Sequence, residues 1–412
     1  MGLFGLSRRT LRSIWETNAE GQGIVRYQPS QIEAFIDDTA PLENMLFSGG
    51  MSDIRTRAIA RAVECAYLQG YSVLILHCGN QGLERGLDTY LGPGYLCAVN
   101  RTVPIYDPFC GASNDEISSL ILSSSDKVCR IGAAGRYYIE GITEFIKAKG
   151  INPYCRMYIT CPYQALFDKI NDAEASGKIT PTVAQKIISQ IMQGKSDQAS
   201  IENYFSILSA QADLIMAKKS DYSRSVNLSI AMRNRQILSI DVQSSTNSLL
   251  ISLLVSEAAT ILAQGQKLVL AIDGIQLSTN DTLKEFIKLS GRNYRVILSS
   301  DDVYSDFGGA ESDFFSFAGK CSTIVLSRHS SAYSCQKFSD ILGFYDKQEI
   351  NTTYAQSSSY YGRWGFGDTQ TTSINTKREY IVKPEEIQRM ALDEVFIVDK
   401  LTGELSFTQI IS

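Results

Sequence analysis

Residues 43–80, ENMLFSGGMSDIRTRAIARAVECAYLQGYSVLILHCGN, constrain the fold more than any other segment. A short apolar run ends in paired glycines. The next stretch, 53–69, puts Ile54, Ala58, Ile59, Ala62, Val63, Ala66 and Tyr67 on one helical face. Gly70 stops that helix. YSVLILHCGN then runs almost wholly apolar, as a parallel strand covered on both faces must. Together they predict a β-α-β unit with a right-handed crossover.

The alternation continues along the chain. RQILSIDVQS, KLVLAIDGI, NYRVILSSDD and CSTIVLSRHS read as strands, and 248–264 and 281–289 as helices. A strand is expected around 95–99, and helices from 115 and over 132–149. From 157 to 219 strand signals fade and helical windows take over, one opened by Thr180-Pro181 as N-cap and first-turn proline. The tail reads as a helix over 384–390, then EVFIVDK and ELSFTQI as strands about a turn at Thr402-Gly403. The polar, aromatic stretch 351–375 is expected to be a long exposed loop. Its Tyr360, Tyr361, Trp364 and Phe366 suit packing on a neighbouring subunit better than stacking on a single strand. The expected class is α/β: a mostly parallel sheet flanked by helices, with an all-α insertion. The division is a lead-in at 1–45, a first part at 46–156, the insertion at 157–220 and a second part at 221–412.

Composition narrows the function. Among 412 residues, 44% are hydrophobic and 20% charged, ordinary for a soluble globular protein. A net charge of -5 gives no global pull towards nucleic acid or anionic membrane. Lys218, Lys219, Arg224, Arg233 and Arg235 form a small basic cluster, read as a solvated face rather than a nucleic-acid contact. Nine cysteines without a C-x-x-C pair read as free thiols of a reducing cytoplasm. With only His77 and His329 available, a zinc site is not expected. MGLFGLSRRTLRSIW puts its apolar run before the arginines, the wrong order for a secretory signal. The apolar stretch 249–263 is too short to span a bilayer and is broken by Ser252, Ser256, Glu257 and Thr260. A cytoplasmic protein with no membrane span is therefore expected.

A strand that ends in glycines and turns into a helix is where phosphate loops are built, since helix N-terminal amides and the macrodipole favour an anion. The working pattern is G-x-x-x-x-G-K-[ST]. Here the window is Gly49, Gly50, Met51, Ser52, Asp53, Ile54, Arg55, Thr56. Gly49 and Thr56 match. Ile54 replaces the second glycine, Arg55 the lysine, and Asp53 sets a carboxylate where phosphate oxygens would lie. KLVLAIDGI ends in Asp273, but Gly274 follows it, and glycine cannot act as a general base. CGNQGLERG lacks the G-x-G-x-x-G spacing, so a dinucleotide site is not expected.

The order of these segments resembles the motor domain of type IV secretion coupling proteins, the TraG/TraD kind, within the HerA–FtsK group of hexameric DNA-translocating ATPases. LFSGGMSDIRTRAIARAVECAYLQGYSVLILHCGN resembles their Walker A segment with its helix and next strand. IYDPFCGASNDEISSLIL resembles their NPL segment, and RQILSIDVQSSTNSLLISLLVSEAATIL with LVLAIDGI their approach to Walker B. RVILSSDD resembles the sensor strand, with Ser300-Asp301 in place of Thr-Gln. CSTIVLSRHSSAYSCQKFSDILGFYDK and KREYIVKPEEIQRMALDEVFIVDKLTGEL resemble the closing segments.

The resemblance implies a RecA-like fold, ring assembly, and ATP with Mg2+ as ligand. Yet the family's second Walker A glycine, its lysine, the Walker B glutamate and the sensor glutamine are all altered, and the transmembrane helices typical of its membrane-bound members are missing from the sequence. The expectation is thus a catalytically inactive pseudo-ATPase, with a vestigial loop at 49–56 and vestigial Asp273 and Asp301. It would hold no cofactor and no metal. It would serve as a structural or adaptor subunit of a conjugative, type IV secretion or related DNA-transfer machine. The implied partners are proteins of that machine, an active paralogous ATPase, further copies of the chain, or DNA, met at the inner face of the membrane. The alternative is a working ATP-driven DNA translocase in which Arg55 serves for the lysine. A module that binds nucleotide without hydrolysis is a third reading.

Overall fold

A computed structural model of the chain describes residues 23–36, 40–125, 129–356 and 368–411. The described residues open with strand β1 (Ile24–Arg26) and a 3-10 turn at Ile32–Phe35. Strand β2 (Asn44–Ser48), helix α1 (Ser52–Leu68) and strand β3 (Ser72–His77) follow as the expected unit. Helix α2 (Gln81–Leu91) and β4 (Leu96–Val99) come next.

Between β4 and β5 the chain leaves the sheet for a run of helices, α3 to α9, and then returns to it. These helices are α3 (Asn114–Ser124), α4 (Gly135–Ala148), α5 (Cys155–Ile159), α6 (Leu166–Ala175), α7 (Pro181–Gln193), α8 (Gln198–Ala212) and α9 (Leu228–Arg233). Thr180 caps α7 as expected, accepting the Val183 N–H at 3.4 Å. The sheet resumes with β5 (Ile237–Asp241), α10 (Ser248–Ala263), β6 (Leu268–Asp273), α11 (Asp281–Lys288) and β7 (Tyr294–Ser300). Helices α12 (Val303–Asp306) and α13 (Glu311–Lys320) lead to β8 (Cys321–Leu326) and α14 (Ala332–Leu342). After β9 (Phe344–Gln356) and β10 (Asp368–Tyr380) come α15 (Pro384–Arg389), β11 (Glu394–Asp399) and β12 (Glu404–Gln409).

Ten strands form one sheet in the order β1-β12-β11-β8-β2-β7-β6-β3-β5-β4. From β8 to β4 all neighbours are parallel, and β11 runs antiparallel to both β8 and β12. Alternation along the strands explains why helices cover both faces. Leu74 and Leu76 of β3 enter one core with Leu268, Leu270 and Ile272 of β6. Val73 and Ile75 enter the other, with Val269, Ala271 and the apolar face of α1. Among the described residues no helix is long and apolar enough to cross a membrane. All nine cysteines are free; five are buried and four partly so.

One expectation is overturned. Residues 351–356 and 368–375 of the expected loop are strand instead: β9 and β10 pair antiparallel over 13 residues each and form a separate two-stranded sheet. Threonine and isoleucine favour extended backbone, and this outweighs the polarity that suggested a loop. Tyr360, Tyr361, Trp364 and Phe366, like the opening MGLFGLSRRTLRSIW, lie outside the described residues.

Candidate functional site

The site lies at the carboxyl ends of the parallel strands, where open α/β sheets place their ligands. Register brings its members side by side. Ser48 stands opposite Ser300, His77 opposite both Asp241 and Asp273, and Asp273 opposite Ser299.

Only Gly49, Gly50 and Met51 separate β2 from α1, because the helix already begins at Ser52. The eight-residue window is therefore a three-residue turn followed by the first turns of a helix. Ile54 is 5% exposed and belongs to the core under α1, so it faces away from any phosphate. Asp53, in the first helical turn, sets its own carboxylate at the positive end of the dipole and pairs with Arg57 at 3.5 Å.

Both glycines are pressed against the segment after β8. Gly49 has φ +84°, and a Cβ there would lie 2.5 Å from the His329 ring and 2.7 Å from the Arg328 carbonyl. A Cβ on Gly50, at φ +68°, would lie 2.4 Å from that of Ser327. The glycines thus satisfy a left-handed turn and a close approach by protein. The Gly50 N–H, of the kind a phosphate would use, donates to the Arg328 carbonyl at 3.1 Å. The Gly49 N–H donates to the Ser300 carbonyl at 3.1 Å.

His329 is 3% exposed, and burial lowers its pKa, so the ring is neutral at pH 7. Its Nδ1 lies 2.8 Å from the Ser327 carbonyl, an arrangement that puts the proton on that nitrogen. Nε2 then accepts from the Ser48 hydroxyl at 2.8 Å. Ser48 in turn accepts the Val303 N–H at 3.1 Å. A serine against a histidine can be a nucleophile and base. Here Ser48 is 2% exposed and fully engaged, so the pair ties β2, α12 and the β8 end together.

Arg55 closes the turn from the other side. Its Nη1 donates to the carbonyls of Gly49 at 2.8 Å and Gly50 at 3.0 Å, and Nη2 pairs with the Asp301 carboxylate. Asp302 accepts from the hydroxyls of Ser305 (2.8 Å) and Ser334 (2.6 Å). Burial, with Asp302 and Asp301 nearby, pushes Asp306 up to about 7.

Asp273 and Thr56 come together as the phosphate-loop pattern requires, but a side chain bridges them. Asn80 Nδ2 donates to Thr56 Oγ1 at 2.9 Å and to Asp273 Oδ2 at 2.7 Å. Its Oδ1 caps α2 by accepting the Leu83 N–H at 3.2 Å, which fixes which end of the amide faces the bridge. Asp273 Oδ1 accepts from the Ser299 hydroxyl at 2.8 Å. The space between hydroxyl and carboxylate, where a magnesium ion would sit in a phosphate-loop enzyme, is thus spanned by a neutral amide. Gly274 turns at φ +67°, a conformation glycine takes freely and other residues resist.

Asn80 and the 327–329 segment were not legible as site residues. The first stands at the end of a predicted strand and carries no motif; the second is joined to the turn only by strand order. Among the basic residues, Arg224 pairs with Asp221 at 2.6 Å. His77 accepts the Asn80 N–H at 3.1 Å and, among the described residues, no group of three or more His, Cys, Asp or Glu is placed to hold a metal.

Strand order, a glycine turn after the central strand and an aspartate two strands away define a nucleotide-binding type of α/β fold, of the kind found in coupling-protein motors. The likeness to solved structures is specific: it extends over 98% of the chain to the bacterial conjugative coupling protein TrwB. The unbound form matches at 14% identity and TM-score 0.52, with 92% of that chain covered. The complex with a non-hydrolysable ATP analogue matches at 14% and 0.54, again covering 92%. The complex with ADP and Mg2+ matches at 13% and 0.52, covering 91%. No family profile and no curated protein sequence matches the chain.

Proposed function

We propose that this protein is a catalytically silent, coupling-protein-like subunit, a structural or adaptor component of a conjugative, type IV secretion or related DNA-transfer machine. The fold supports the machine, since the solved structures of like shape are those of a conjugative coupling protein, with and without nucleotide. One observation carries the silence. The groups that would take a nucleotide are already engaged within the chain: the Gly50 amide with Arg328, the Arg55 guanidinium with two turn carbonyls, and Asp273 with Asn80. In this reading Gly49 to Thr56 is a vestigial loop, and Asp273 and Asp301 are vestigial catalytic positions. The helices at 157–220 form an insertion domain between the two parts of the sheet domain. The partners are proteins of the machine, an active paralogue among them, with DNA as a further contact.

Calorimetry with ATP and Mg2+, and phosphate release with and without DNA, test the reading. No binding and no turnover are expected. Saturable turnover abolished by Arg55→Ala would establish the second reading, an active translocase, which the retained cation at Arg55 favours. Light scattering of the chain mixed with a paralogous ATPase tests assembly; monomers under all conditions would count against it.

A further inference from the structure

Away from the turn, a cavity of about 680 Å³ opens where the 107–112 loop meets α3, α9 and α10. Its size falls within the roughly 300–1,000 Å³ of small-molecule sites. Glu257 of α10 lines it and is 8% exposed. One carboxyl oxygen accepts from the Tyr106 hydroxyl, the other accepts the Leu228 N–H at 3.0 Å. A carboxylate offers about four acceptor positions, so two remain. Among the described residues Glu257 has no salt-bridge partner, and burial pushes the acid up to about 7.

Arg233 of α9 stands at the exposed end of the same cavity. Its Nε donates weakly to the Ser229 carbonyl at 3.4 Å, and among the described residues it has no carboxylate partner. The other acids of the lining are engaged elsewhere. Asp115 faces Arg136 at 3.6 Å, and Glu116 accepts the Ser113 N–H at 2.7 Å. Leu120, Met232 and Ile261 supply apolar wall between the two ends.

A buried carboxyl without a cation and an exposed guanidinium without an anion thus share one cavity. We infer that this cavity binds a zwitterion, an amino carboxylate of amino-acid to dipeptide size, with its ammonium on Glu257 and its carboxylate on Arg233. The ammonium supplies most of the affinity, because an ion pair shielded from water is screened least. The exposed Arg233 contact adds less and sets orientation. The inference is independent of whether the turn at Gly49 takes nucleotide.

Calorimetry on the full chain tests it with three probes: the free dipeptide alanyl-leucine, its N-acetyl form lacking the cation, and its amide lacking the carboxylate. Saturable binding of the free dipeptide is expected, with the acetyl form at least tenfold weaker and the amide severalfold weaker. Arg233→Ala should erase the difference between dipeptide and amide, and Glu257→Gln should abolish binding. Ser119→Trp, from an exposed position on the lining, should block the cavity while leaving the circular dichroism spectrum unchanged. Absence of saturable heat at millimolar dipeptide, equal affinity for the acetyl form, or undiminished binding by the folded Ser119→Trp variant would overturn the inference.

Discussion

Asn80 shows how one side chain can hold a site closed. Its amide answers Thr56, Asp273 and the first turn of α2 at once. Asn80→Ala leaves a hydroxyl and a carboxylate oxygen short of a donor and removes a helix cap. A loss of about 1–3 kcal/mol is expected, read from urea unfolding. Gly49→Ala meets both the left-handed φ and the His329 ring, and should cost about 2–4 kcal/mol in the same measurement. Installing the family's loop residues tests the proposed reading more directly. Ile54→Gly, Arg55→Lys and Gly274→Glu together should give no phosphate release above background. Gly274 sits at φ +67°, Ile54 packs into the core, and the Gly50 amide stays with Arg328.

At the scale of elements, regular apolar periodicity was enough to place most strands and helices. β3, β6 and α10 follow their patterns closely because burial on both faces leaves little room for anything else. The candidate site was legible in part. Gly49 and Arg55 were singled out by the spacing of the loop pattern, Asp273 by its place at a strand end and Asp301 by the family resemblance, and Arg55 with Asp301 does form a pair. Their partners were not, since Asn80 and His329 reach the turn through tertiary packing that no local spacing encodes. The hairpin was hidden for a different reason: a ribbon paired only with itself needs no apolar face. Because β9 and β10 pair with no other strand among the described residues, removing 349–375 and joining the ends through a short turn should leave the core intact. A midpoint of urea unfolding shifted by more than about 1 kcal/mol equivalent would show that the ribbon supports the core.

For the whole molecule, three acids raised by burial set the response to pH. Asp107, Glu257 and Asp306 are each pushed up to about 7, by burial first. In the unfolded chain they titrate near pH 4. Each folded value is raised, so the folded state holds these protons longer. Their contribution is fully present below about pH 4 and is lost as pH rises through about 7. The melting temperature should therefore fall from pH 5 to pH 8, and Glu257→Gln should flatten that fall. An unchanged slope in the variant would remove Glu257 from the account.

The two glycines after β2 have a historical consequence. A chain that lost only its lysine could regain it by a single codon change. Here the turn has been taken up as a seat for Ser327 and His329, residues that belong to no nucleotide motif. Under the proposed reading, return to hydrolysis would require that distant segment to withdraw first, and its withdrawal alone brings no benefit that selection could see. The loss is then a ratchet, held by packing rather than by the missing catalytic groups.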